Sequence, residues 1–182
     1  MFSMLIQALY NIVDSIFVAK LGETALSAVS LVYPIQMLTI SVGVGTAIGV
    51  ASLVSRKLGA KRQDIAQDVA SHGLFLALCS GVVFLIFGLF FADNFVRAFS
   101  DNDALVSPAT TYCMITASCS IFPFITIQCE RLMQGCGDTM TPMFTALSGC
   151  VTNIILDPIM IFGYFGCPAM GVTGAAIATI IG

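Results

Sequence analysis

Long runs without a single Asp, Glu, Lys or Arg constrain this chain more than any motif does. None occurs from Thr24 to Ser55, from Thr139 to Leu156, or from Pro158 to Gly182. About 20 consecutive apolar residues make one helical crossing of a bilayer. The composition is 58% hydrophobic and 9% charged, whereas a soluble domain carries roughly 25% charged residues. With a mean hydropathy of +0.98, the chain reads as an all-α, polytopic helical membrane protein. Transmembrane strands would give short alternating segments, and these runs are longer and continuous, which argues against a barrel. The net charge of −3 leaves no basic surface for nucleic acid.

Taken in order, the sequence predicts spans over about 1–19, 25–55, 69–92, 108–129, 142–164 and 171–182. The first lacks a basic leader and carries Asp14, so it reads as a retained span. The second is long for one crossing and holds Pro34, which predicts one kinked helix. Its Gly45-x-x-x-Gly49 pattern predicts a face that another helix approaches closely. Arg56, Lys57, Lys61 and Arg62 follow in one short loop, which the positive-inside rule places in the cytoplasm with the N-terminus. Asp68 and His72 read as a helix-surface pair. Asp93 to Ser107 reads as a net-acidic outer loop, the fourth span is expected to bend at Pro123, and Gln134 to Thr139 as a tight cytoplasmic turn. The last 12 residues, Gly171 to Gly182, give roughly 18 Å of helix where about 30 Å is needed, so the chain is expected to be a fragment cut in its sixth span.

Two carboxylates interrupt the apolar spans: Asp14, and Asp157 in Asn153-Ile154-Ile155-Leu156-Asp157-Pro158. A charge there costs several kcal/mol unless it is paired, hydrated or protonated. Counting from the outer ends of their spans puts both at a similar depth, roughly 9 and 10 Å down. Asn153, one turn from Asp157 on the same face, adds an amide oxygen that can ligate or accept a hydrogen bond. Such a group can exchange a proton for a cation such as Na+, because protonating one carboxylate removes its repulsion of the other. Two plainer readings stand beside this one. Asp157-Pro158 is also the signature of a helix N-cap with proline at the first helical position, and Asp14 could be hydrated in an outwardly displaced span.

The seven cysteines fall mostly in apolar runs without C-x-x-C spacing, which suits packing residues better than a metal or redox site. Cys167 alone is placed in an outer loop. No cofactor is implied beyond the coupling ion, H+ or Na+.

Five segments in order carry a resemblance. Leu9-Tyr10-Asn11-Ile12-Val13-Asp14-Ser15-Ile16-Phe17-Val18-Ala19-Lys20-Leu21-Gly22 resembles the first helix of multidrug and toxic compound extrusion (MATE) transporters. Leu53 to Ala60 is similar to their second-to-third-helix loop, and Gly135-Cys136-Gly137-Asp138-Thr139-Met140-Thr141-Pro142 to their G-x-G-D-T-x-T-P turn. Asn153 to Pro158 and Gly171 to Thr179 complete the series. The resemblance implies a transporter of two six-helix lobes in the cell membrane, with residues 1–182 as most of the N-terminal lobe and the C-terminal lobe missing. It also implies that Asp14, Asn153 and Asp157 form a cation-coupling site lined by Tyr10 and Thr179.

The expected function is therefore a proton- or sodium-coupled antiporter exporting small organic, often cationic, compounds through the lipid bilayer. A flippase for lipid-linked precursors shares the architecture. An intramembrane aspartyl protease is suggested superficially by Gly135-Cys136-Gly137-Asp138, but its two carboxylates must share a water. Asp138 and Asp14 are expected at opposite membrane surfaces, roughly 20 Å or more apart, so no enzyme is expected. A purely structural subunit is the remaining reading.

Overall fold

The computed structural model describes residues 23–99, 102–163 and 170–181. Among them seven helices occur and no strand: α1 (Glu23–Gly59), α2 (Gln63–Phe90), α3 (Ala92–Phe99), α4 (Asp103–Ser118), α5 (Ile121–Gly135), α6 (Met140–Phe162) and α7 (Val172–Ile181). Three are long and apolar enough to cross a membrane, within Leu26–Gly59, Gln63–Phe90 and Met140–Ile161; α4 and α5, bent by 46° at their junction, make a fourth when taken together.

α1 is one helix that continues through Pro34. It packs against α2, α4 and α5, while α6 packs mainly against α7, and α7 against α4. The buried core near the acidic end draws Ala28 and Val32 from α1, Val96 from α3 and Tyr112 from α4, with Ile161 of α6 and Ala176 of α7. Gln36 Nε2 donates to Tyr112 Oη at 3.0 Å, tying α1 to α4.

α2 is built with its small residues inward. Its buried positions are Ala66, Gly73, Ala77, Gly81 and Gly88, while Phe75, Val83 and Phe90 are exposed. In a bilayer large side chains face lipid without penalty, and helices attract by close contact, which small residues permit. A Cβ at Gly81 would lie 2.7 Å from Ile121 Cα, and one at Gly88 2.6 Å from Ala117 Cβ. The glycine pair foreseen in α1 behaves differently. A Cβ at Gly45 or Gly49 would meet nothing within 4 Å, so no described helix uses that face.

Several expectations about bends and loops are corrected or made specific. The acidic segment after α2 is not a loop: it holds α3 and the first turn of α4, which begins at Asp103 with Pro108 inside it. The bend expected at Pro123 is present and falls at Cys119 and Ser120, the residues four and three before it. Pro123 occupies the third position of α5, where the missing N–H would have had no intrahelical partner anyway. His72 Nδ1 lies 2.6 Å from the Asp68 backbone oxygen, so the ring N–H is on Nδ1 and the pairing is to the carbonyl rather than the carboxylate.

Candidate functional site

α6 starts at a built cap. Asp138 Oδ1 accepts from the backbone N–H groups of Met140 (3.0 Å) and Thr141 (3.1 Å), and its Oδ2 from the Thr141 hydroxyl (2.6 Å). Gly137, at φ 95°, supplies the left-handed residue the turn needs. The hydroxyl of Thr141, then its N–H, hold the exposed Asp138 carboxyl below its ordinary range. An acid engaged in this way at a helix N-terminus has a complete structural role.

From that start α6 runs unbroken to Phe162 with Pro158 inside it, so the reading of Asp157-Pro158 as an N-cap fails. Pro158 forfeits one backbone hydrogen bond, leaving the Ile154 carbonyl without its usual helical donor. Such losses are tolerated in membrane helices when neighbouring helices cover them. Asn153, Asp157 and Ile161 follow at intervals of four along one face. That face is buried throughout, with Asp157 at 0% exposure, Ile161 at 1% and Asn153 at 5%. Asn153 Oδ1 has no hydrogen-bond partner among the described residues. A buried amide oxygen left so costs on the order of 1–3 kcal/mol, which makes it a ready acceptor for a cation or an acidic proton.

α7 returns alongside. Met170 N–H donates to Met160 O at 3.1 Å and Gly171 N–H to Ile161 O at 3.3 Å, and a Cβ at Gly174 would strike the Met160 carbonyl oxygen. With Gly174 level with Met160 and the helices antiparallel, Thr179 lies roughly 7 Å lower at 1.5 Å per residue. Asp157 lies about 4–5 Å below Met160, and Asn153 about 10 Å. Thr179 thus falls at a depth between them. It is half-buried, and its hydroxyl donates to Ala175 O at 2.8 Å, leaving its oxygen lone pairs usable as an acceptor. Asp14 and Tyr10, and Cys167, lie outside the described residues.

Elsewhere, a polar recess of about 300 Å³ lies beside Asp93, Arg97, Ser107, Thr110 and Thr111, and an apolar groove of about 400 Å³ runs between α1 and α2. Neither is lined by Asn153 or Asp157. The sequence reading missed Gln128, which is buried in α5 with no partner for Nε2 among the described residues. Its signal was an amide inside an otherwise apolar span.

A bundle of helices long and apolar enough to cross a membrane, with an acid and an amide buried on one of them, is the frame of a multi-pass membrane protein. The MatE family model matches residues 1–159, and the chain belongs to that family. It is 30% identical over 180 residues to the probable multidrug resistance protein YoeA of Bacillus subtilis, covering 98% of this chain and 39% of the relative. Its identity to the probable multidrug resistance protein NorM of Thermotoga maritima is also 30%, over 97% of this chain and 38% of that protein. A solved transporter of the MOP superfamily from Pyrococcus furiosus superposes with a TM-score of 0.90 at 33% identity, over 98% of this chain and 39% of its own. The chain therefore spans about two fifths of the length of these relatives. The family is one of transporters, not enzymes.

Proposed function

We propose that this chain forms the N-terminal lobe of a two-lobe antiporter. Entry of H+ or Na+ through a site on Asp157 and Asn153, with Asp14, Thr179 and Tyr10 around it, drives export of small organic, often cationic, compounds. The observation that carries this reading is the buried face of α6: a carboxyl and an amide oxygen that no described donor satisfies, one turn apart inside an apolar bundle. Side chains at that spacing are within reach of each other. Protonated, Asp157 donates to Asn153 Oδ1; ionised, the two supply oxygen ligands to Na+, with the Thr179 hydroxyl at intermediate depth. Either ion offsets the cost of the buried charge. Export follows if the ion binds one orientation of the lobes more tightly than the other, since only differential affinity shifts a conformational equilibrium.

The orientation proposed with it puts the N-terminus and the Arg56–Arg62 connection in the cytoplasm and the α2–α4 connection outside, in the cell's inner membrane. Four of the seven basic residues cluster at that one connection, which is the asymmetry that sets topology.

The test uses the two-lobe transporter in proteoliposomes, following a fluorescent organic cation under an imposed pH or sodium gradient. Wild type is expected to move the cation under one gradient, and Asp157→Asn under neither while still inserting. Equal movement in both proteins would overturn the site. No movement of the cation by wild type under either gradient would favour the flippase instead.

A further inference from the structure

The groove between α1 and α2 is lined by Gly49, Val50 and Leu53 on one side and by Val69, Gly73 and Leu76 on the other, with Asp68 and His72 at its edge. Its volume of about 400 Å³ is in the range of pockets that hold small molecules. Its walls are apolar and Leu53 and Leu76 are exposed, while the open face of Gly49 leaves room above them. On α1 the lining runs from Leu53 to Gly49, roughly 6 Å along the helix. Its Leu53 end lies one turn from Arg56 and Lys57, and it runs from there into helices apolar enough to cross a membrane.

Above that opening stand Arg56 and Lys57 in the last turn of α1, and Lys61 and Arg62 in the connection to α2. Arg56, Lys61 and Arg62 are exposed and Lys57 half-buried. The salt bridge found among the described residues joins Asp93 and Arg97 instead, and none of the four cations is paired with Asp64 or Asp68. The connection is closed tightly: Arg62 N–H donates to Lys57 O at 3.0 Å and Lys61 N–H to Leu58 O at 2.9 Å. Lys61 takes φ 57°, a left-handed conformation in which a helix end usually places glycine. A charged side chain is kept where a residue without one would fit the backbone better.

We infer that this groove binds one acyl chain of an anionic phospholipid of the cytoplasmic leaflet, whose phosphate headgroup is held by Arg56, Lys57, Lys61 and Arg62. An apolar slot opening under unpaired cations at a helix end complements an amphiphile with a negative head, and basic pockets between membrane helices hold such headgroups. The choice of leaflet rests on the orientation proposed above. The site rests on the geometry alone, and mass measurement in detergent reads it without regard to sidedness, so the two can fail separately.

The test is native mass spectrometry of the two-lobe transporter titrated with phosphatidylglycerol or with phosphatidylcholine of the same acyl chains. Wild type is expected to retain phosphatidylglycerol preferentially. The double variants Arg56→Gln/Lys57→Gln and Lys61→Gln/Arg62→Gln each leave two cations to hold the topology and are expected to weaken that retention about tenfold. Gly49→Leu puts a side chain into the groove from a position whose Cβ meets nothing within 4 Å and is expected to displace the lipid with Tm unchanged or raised. Equal retention of the two lipids by wild type would overturn the proposal, as would unchanged retention in the double variants. Retention lost in the double variants but unchanged in Gly49→Leu would overturn the groove and leave a surface patch. A lowered Tm in Gly49→Leu would show that protein fills the groove, from the other lobe or a second copy, and would overturn it too.

Discussion

Asp138 and Asp157 stand near the two ends of α6. Asp138 is exposed and accepts three hydrogen bonds from the first residues of its own helix. Asp157 is fully buried in the helix interior, on the same face as an amide oxygen that no described residue satisfies. The first arrangement is finished without any further partner. In the second a carboxyl and an amide oxygen are buried together where charge is costly, and the proposed function puts an ion there, so the contrast is between an acid that builds a helix end and one proposed to work on an ion. A second contrast runs parallel: the glycines of α2 are filled against their neighbours, and Gly45 and Gly49 of α1 are open.

The largest effect expected is at the first contrast. Asp157→Asn should reduce gradient-driven movement of a fluorescent cation to the rate seen without a gradient, and leave the thermal midpoint unchanged or higher, because burying an amide costs less than burying a charge. Asp138→Asn should do the reverse, preserving transport and lowering the midpoint. Measured side by side, equal transport in the two variants would erase the distinction.

The second contrast predicts effects of opposite sign. Gly81→Ala places a methyl 2.7 Å from the Ile121 backbone and should destabilise by about 1–3 kcal/mol through overpacking. Gly45→Ala adds a methyl to open space and should stabilise by up to about 1 kcal/mol through helix propensity. Thermal or denaturant unfolding in one detergent reads both. A loss at Gly45 would mean that another helix sits on that face.

These contrasts also mark what could be read from the sequence. The all-helical membrane architecture was legible because charge-free runs leave few alternatives. The i, i+4 spacing was enough to put Asn153 and Asp157 on one face. Whether that face was inside was not, since α6 is apolar nearly all round and offers little amphipathic contrast. For the same reason the open Gly45-x-x-x-Gly49 drew attention while Gly73, Gly81 and Gly88, spaced more widely in a run of large side chains, did not. Asp157-Pro158 left an N-cap reading open beside the ion-site reading because Asp-Pro commonly begins helices, whereas here the helix continues through Pro158. Pro123 was a true signal, for a proline ring excludes the carbonyl four residues back, at Cys119, where the 46° bend falls.

The smallest effect is the sharpest check on Asp138. The Thr141 hydroxyl and N–H, with the Met140 N–H, favour its ionised form and lower its carboxyl from the ordinary value of 3.8. A depressed native value means that the ionised carboxylate contributes stability above the unfolded value, and that the contribution is lost as pH falls through the native one. The midpoint difference between wild type and Asp138→Asn should therefore be largest at about pH 5 and above and shrink below about pH 4. Titration of Asp157 is common to both proteins and cancels in that difference. A difference independent of pH would mean that the cap works equally well uncharged, through hydrogen-bond geometry alone, and the two acids of α6 would then differ in burial but not in their use of charge.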